Sequence, residues 1–141
     1  MFVEIKSRLQ DVEISELLDY AVFAEEDKLS RTIEQYQSNS KLEIYGYEAE
    51  GEIIGILGME VLEKSILHIL HLSIHPDYRG LGYGRGVLME MIEWKKPVQL
   101  IAETDEESVD FYRNIGFTIV SLGELYPGVE RFHCVYHTND V

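Results

Sequence analysis

The chain has 141 residues, 45% of them apolar and 11% aromatic, enough for a packed core in a single domain spanning 1–141. Its 26 acidic residues against 12 basic ones leave a net charge of −14, which argues against nucleic acid as the main partner, because phosphate binding needs clustered Lys and Arg. Such a charge suits a cationic partner such as an amine, or it serves only to solvate the surface.

Phe2 to Lys6 alternates apolar and polar residues, the pattern of a half-buried strand. Ile14, Leu17, Leu18, Ala21 and Val22 then fall on one helical face, and a weaker helical pattern follows through Leu29, Ile33 and Tyr36. Lys41 to Glu48 alternates again, a turn at Glu50-Gly51 leads into a strand over Ile53 to Leu62, and Glu63-Lys64-Ser65 turns into a third over Ile66 to Ile74. Pro76 ends that strand by removing a backbone donor. Val87, Leu88, Met91 and Ile92 give a helix that stops before Pro97, and Val98 to Ala102 is a short strand. Thr104-x-x-Glu107 has the form of a capping box for a helix carrying Val109, Tyr112 and Ile115, with Gly116 at its C-terminal end. Phe117 to Ser121 and Phe132 to Tyr136 close the chain as strands around a turn at Tyr126-Pro127-Gly128. The order β-α-α-β-β-β-α-β-α-β-β predicts an α/β (α+β) fold. Its sheet is mixed, mostly antiparallel and twisted, with about seven strands, and about four helices flank it.

The stretch from His71 to Leu88 carries the chemistry. A strand ends, glycines crowd the turn at Gly80, Gly82, Gly84 and Gly86, and an amphipathic helix begins. Glycines there let backbone N–H groups approach an anion, and the helix start adds roughly half a positive charge. A P-loop would need Gly-Lys-Ser/Thr, which is absent, and G-x-G-x-x-G fails because Arg85 and Val87 stand where its last glycine is required. A purely structural glycine turn is the remaining plain reading, although each glycine inside a helix costs about 1 kcal/mol relative to Ala.

Arg79-Gly80-Leu81-Gly82-Tyr83-Gly84 fits the frame Arg/Gln-x-x-Gly-x-Gly/Ala, and with it the chain resembles the GCN5-related N-acetyltransferase (GNAT) superfamily. Leu72-Ser73-Ile74-His75-Pro76-Asp77-Tyr78 is similar to that family's strand exit, and Ser108 to Phe117 to its second motif. The resemblance covers about Phe2 to Tyr136. It implies acetyl-CoA as co-substrate and an amine as acceptor. Backbone amides of Arg79, Gly80, Leu81, Gly82, Tyr83 and Gly84 would hold the CoA diphosphate, and Leu72, Ser73 and Ile74 would offer main-chain groups to the pantetheine arm. Asp105 stands where many members place a cofactor-touching Asn, and an ionised Asp can accept but not donate. Leu100 stands where enzymes acting on ribosomal-protein N-termini carry a Glu, which disfavours that role.

Tyr112 matches the family tyrosine that protonates the departing thiolate; its helical spacing also suits a plain core residue. His68 occupies the position of a Glu or His base in family members, and a strand His satisfied by a neighbour is the alternative. Strand alternation sends His71 to the opposite face, and His75 beside Pro76 reads as structural. Glu124 and Glu130 are candidates for an acidic acceptor pocket. No Cys/His pair has metal-ligand spacing, and Cys134 reads as a small buried apolar residue. One cysteine, no basic segment ahead of an apolar run, and no stretch near about 18 apolar residues predict a cytoplasmic chain without membrane contact. A homodimer is compatible with the sequence. A domain that binds acyl-CoA without turnover, as a sensor or interaction module, is the competing function.

Overall fold

The computed structural model describes residues 1–22 and 27–138. Seven strands and four α-helices alternate in the expected order: β1 (Phe2–Glu4), α1 (Val12–Ala21), α2 (Lys28–Ser38), β2 (Leu42–Ala49), β3 (Glu52–Val61), β4 (Ile66–Ile74), α3 (Tyr83–Lys95), β5 (Gln99–Asp105), α4 (Val109–Ile115), β6 (Thr118–Tyr126) and β7 (Val129–His137). They form one sheet in the order β1-β2-β3-β4-β5-β7-β6. Short turns make its neighbours antiparallel, whereas the crossover through α3 makes β4 and β5 parallel. No described helix is long and apolar enough to cross a membrane.

Each face of the sheet buries its own core. Ile14, Leu17 and Leu18 of α1 and Ile33 and Tyr36 of α2 cover one face with Ile44 and Ile56 beneath them. Val87, Leu88 and Met91 of α3 and Val109 and Tyr112 of α4 cover the other, over Leu57, Met59, Leu100 and Cys134. The helical patterns read from the sequence are these buried stripes. Leu57 is fully buried at the centre of the second core. Leu57→Ala is therefore expected to lower unfolding free energy by about 2–5 kcal/mol, read from the urea midpoint at unchanged slope.

Two local expectations need correction. Pairing of β3 with β4 runs from Gly55↔Ile74 to Gly58↔His71 and resumes at Met59↔Ile69, leaving Leu70 as an extra residue. This bulge inverts the alternation. Ile69 packs into the α3/α4 core, Leu70 packs into the α1/α2 core, and His71 stays on that same side against Tyr36 of α2. His68 also lies there, opposite Glu60, so His68 and His71 share a face rather than opposing one another. The second correction concerns the start of α4. Thr104 is no cap: β5 continues through Thr104↔Phe132 and Asp105↔Arg131 because β7 supplies a ladder for it. The Asp105 carboxylate Oδ1 instead accepts the amides of Glu107 and Ser108, at 3.1 and 3.2 Å, and closes the turn before α4.

The last strands are longer than their apolar cores suggest. β6 and β7 run to a two-residue turn at Pro127-Gly128, where Gly128 has φ +78°.

Candidate active site

The parallel pair β4/β5 is joined only from Ile66↔Gln99 to Ile69↔Ala102. Beyond that point β4 follows β3 to Ile74 and β5 follows β7 to Asp105. The two strands therefore part, and the edge of β4 from Leu70 onward faces an open cleft, with no strand among the described residues on that side. Two contiguous cavities occupy it. One, of about 480 Å³, is lined by Leu72, Ser73, Ile74, Arg79, Gly84 and Tyr112, among others. The other, of about 450 Å³, is lined by His71, Leu72, Asp105 and Tyr112 together with Lys28, Glu103, Glu107 and Arg131. Tyr112 and Leu72 belong to both.

The first cavity leads to the glycine turn. Gly80 and Gly82 have φ of +76° and +88°, left-handed values that a side chain would strain, and Gly82 is the residue from which α3 starts. The amides of residues 80–85 find no acceptor among the described residues; the first helical bond runs from the Gly86 amide to the Gly82 carbonyl. Arg79 holds the turn closed. Its Nε donates to the Ile74 carbonyl at 2.7 Å, and its guanidinium lies 5.0 Å above the Tyr20 ring. His75 Nδ1 accepts the Asp77 amide at 3.1 Å, the structural part the sequence suggested for it. The Ser73 hydroxyl donates to the Leu17 carbonyl and ties β4 to α1, and in the ladder its main chain pairs with Ile56 of β3, which leaves the main-chain groups of Leu72 and Ile74 on the cleft side.

Tyr112 reaches the junction of the two cavities from α4. Its ring meets Phe111 and Phe117 edge-on, each at 5.1 Å between centroids. The residue is 8% exposed, and its hydroxyl has no hydrogen-bond partner among the described residues. No described side-chain oxygen or nitrogen is both sealed from solvent and unpaired, so that hydroxyl opens onto the cleft. Burial, and then the neighbouring Cys134 thiol, push the phenol well above its ordinary range. The phenol therefore stays protonated at every working pH, and full transfer of its proton to a thiolate is more uphill than for a free tyrosine.

The second cavity brings in residues that the sequence did not single out. His71 Nδ1 lies 2.6 Å from the Tyr36 hydroxyl. Burial, and next the charge of Lys28, bring the imidazole down to about 4. An unfolded His ionises near 6.5, so falling pH favours the unfolded chain across the window from about 6.5 to about 4, and that loss is absent above it. His68 does not line either cavity; it sits in the joined part of β4/β5, with its Nδ1 3.9 Å from Glu60. The carboxylates at the cavity are Glu103, Asp105 and Glu107 rather than Glu124 and Glu130. Glu124 is exposed on β6, and Glu130 accepts from the Ser121 hydroxyl and lines a separate cavity with Asp105, Glu106 and Glu107. Nothing in the local sequence marks Tyr36 or His71, because the bulge that aims them at one another is set across strands.

The model of the acetyltransferase (GNAT) family matches residues 10–117. An uncharacterized N-acetyltransferase of Bacillus methanolicus is 30% identical over 61 residues, covering 43% of this chain and 51% of that protein. The glucosamine 6-phosphate N-acetyltransferase of Trypanosoma brucei brucei is 25% identical over 83 residues, covering 52% of this chain and 56% of the relative. The chain thus spans about half the length of the curated relatives it matches. Among solved structures, a GNAT family acetyltransferase from Elizabethkingia anophelis with acetyl-CoA bound superposes with a TM-score of 0.71 at 16% identity, covering 97% of each chain.

Proposed function

Because the chain belongs to the acetyltransferase (GNAT) family, we propose that it is an N-acetyltransferase moving the acetyl group of acetyl-CoA to a primary amine by direct attack in a ternary complex. The observation that carries this reading is the cleft where β4 and β5 part, with the Tyr112 hydroxyl opening into it and the glycine turn at its outer end.

The free amides of Gly80, Leu81, Gly82, Tyr83 and Gly84, with that of Arg85, suit a diphosphate, and the start of α3 adds its partial positive charge. The Arg79 guanidinium, held at the groove, reinforces that charge in a chain whose overall field repels anions. The edge of β4 that β5 leaves unpaired offers the main-chain groups of Leu72 and Ile74, on either side of Ser73, to the amides of a pantetheine arm, much as another strand would. Asp105 contributes as an acceptor only: its Oδ1 serves the turn, and Oδ2 remains for a cofactor N–H.

In the reaction the amine nitrogen attacks the thioester carbonyl carbon, the C–S bond breaks, and the CoA sulfur takes the Tyr112 proton. A lysine-like amine is about 0.1% unprotonated at neutral pH, so its proton must be received. His68 takes it through water, since it stands outside the cavity with Glu60 beside it. The acceptor enters from the α1/α2 side, where Glu103, Asp105 and Glu107 outnumber Lys28 and Arg131 and favour an ammonium group.

Calorimetry with CoA at modest ionic strength tests the binding half. Heat of binding is expected for the native chain. Gly82→Ala, which places a side chain at φ +88°, is expected to weaken CoA by about tenfold, from a cost of about 1–2 kcal/mol. Release of CoA thiol with spermidine, kanamycin, lysine and a lysine peptide tests the transfer. CoA binding with no release across that panel would favour an acyl-CoA-binding module instead.

A further inference from the structure

We infer that His71 is a neutral hydrogen-bond donor to the thioester oxygen, its proton held on Nε2 by Tyr36, and that it is not a base. The inference rests on the acetyl-transfer reading above for its substrate. Its geometry stands independently.

Tyr36 is 1% exposed, and its hydroxyl has one partner among the described residues, His71 Nδ1 at 2.6 Å. A buried O–H left without an acceptor costs about 1–3 kcal/mol. The reverse arrangement, in which Nδ1–H donates to the Tyr36 oxygen, would strand the phenolic hydrogen in the core. Tyr36 therefore donates, Nδ1 carries the lone pair, and a neutral ring must hold its hydrogen on Nε2. Gly58 makes the contact feasible, because a Cβ there would lie 1.9 Å from the Tyr36 hydroxyl oxygen.

Nε2 has no protein partner among the described residues, and no described side-chain nitrogen is both sealed and unpaired. It therefore opens onto the cavity that His71 and Tyr112 line together. The bulge at Leu70 places this group just beyond Ile69, the last residue joined to β5, where the strands part. Tyr36 of α2 bonds the ring, and the titratable groups that line its cavity are Lys28 from α2, Tyr20 from α1, Glu103 and Asp105 from β5, Glu107 ahead of α4, Tyr112 from α4 and Arg131 from β7. Lys28 opposes protonation, and burial opposes it more strongly.

During attack the carbonyl π electrons move onto oxygen, and Nε2–H hydrogen-bonds the resulting oxyanion without giving up its proton. Collapse of the intermediate expels the sulfur, which takes its proton from Tyr112. An oxyanion donor of this kind contributes about 10²–10³ in kcat. Tyr36 is a positioning residue, acting only through the ring of His71.

Nitrogen NMR of the full chain tests the tautomer. The expected spectrum shows Nδ1 as lone-pair nitrogen and Nε2 as N–H, unchanged from pH 8 down to pH 5, with mixed tautomers in Tyr36→Phe. Thiol release with the best amine of the panel tests the role. His71→Leu should lower kcat about 10²–10³-fold with little change in either KM, and His71→Gln, whose amide still donates, should recover about tenfold of that. Tyr36→Phe, which keeps the ring and the fold, should lower kcat severalfold. Proton on Nδ1, titration of His71 within that pH range, or a loss confined to the KM of the amine would overturn the inference. A native chain that binds no CoA would instead sink acetyl transfer and the oxyanion role with it, while the tautomer remains measurable.

Discussion

Tyr112→Phe is expected to lower kcat for thiol release by about 10²–10⁴-fold, the range a positioned general acid supplies. CoA affinity and thermal stability should not change. The reason is geometric: Phe keeps the ring between Phe111 and Phe117, and among the described residues the lost hydroxyl has no partner to leave unsatisfied. A structural tyrosine would give the opposite result, with stability falling and turnover intact. Burial raises this phenol, so it should not shape the alkaline side of the pH profile below about 10. The companion variant His68→Ala should lose turnover at neutral pH and regain part of it with added imidazole, because a free base in water can replace one that acts through water. Equal turnover in wild type and Tyr112→Phe at saturating acetyl-CoA would remove the acid role altogether.

Gly58→Ala is expected to destabilise the chain by about 1–3 kcal/mol, although it adds only a methyl group. That methyl carbon would sit 1.9 Å from the Tyr36 hydroxyl oxygen and 2.6 Å from Cζ. Tyr36 cannot retreat freely, because it is packed at 1% exposure in the α1/α2 core. Its shift would break the bond to His71 and leave a buried hydroxyl unpaired, a cost of similar size. Urea unfolding of Gly58→Ala, Tyr36→Phe and the double variant reads the coupling directly. Removing the phenolic oxygen relieves the tightest contact, so the double variant should be more stable than the sum of the single losses predicts. Strict additivity would show that the two residues do not press on one another. CoA affinity should be retained in Gly58→Ala, since the glycine turn lies past the other end of the bulge.

The two strongest sequence signals answered different questions. The frame Arg79 to Gly84 marked the glycine turn ahead of α3 because such a turn depends on local backbone conformation: Gly80 and Gly82 adopt positive φ there, and the anion it would hold is the proposal made above. The spacing of Val109, Tyr112 and Ile115 placed a helix face correctly, with Val109 and Tyr112 buried in the α3/α4 core and Ile115 packed against it. Neither signal could show that this face also borders a cleft. The Thr104–Glu107 box failed for a related reason. Its residues satisfy the local rule for a cap, but β7 offers Thr104 and Asp105 a ladder, and strand pairing outcompetes a one-turn cap.

Local chemistry in the sequence, then, determined the order of elements, the stop at Pro76, the left-handed glycines and the amphipathic stripes, because each depends on residues a few positions apart. Tertiary structure alone decided where β4 leaves β5, where Leu70 enters as an extra residue, and hence that His71 faces Tyr36 instead of the opposite side. A bulge obeys no local pattern: it is a mismatch between two strands, fixed by how β3 and the cores above and below it fit together.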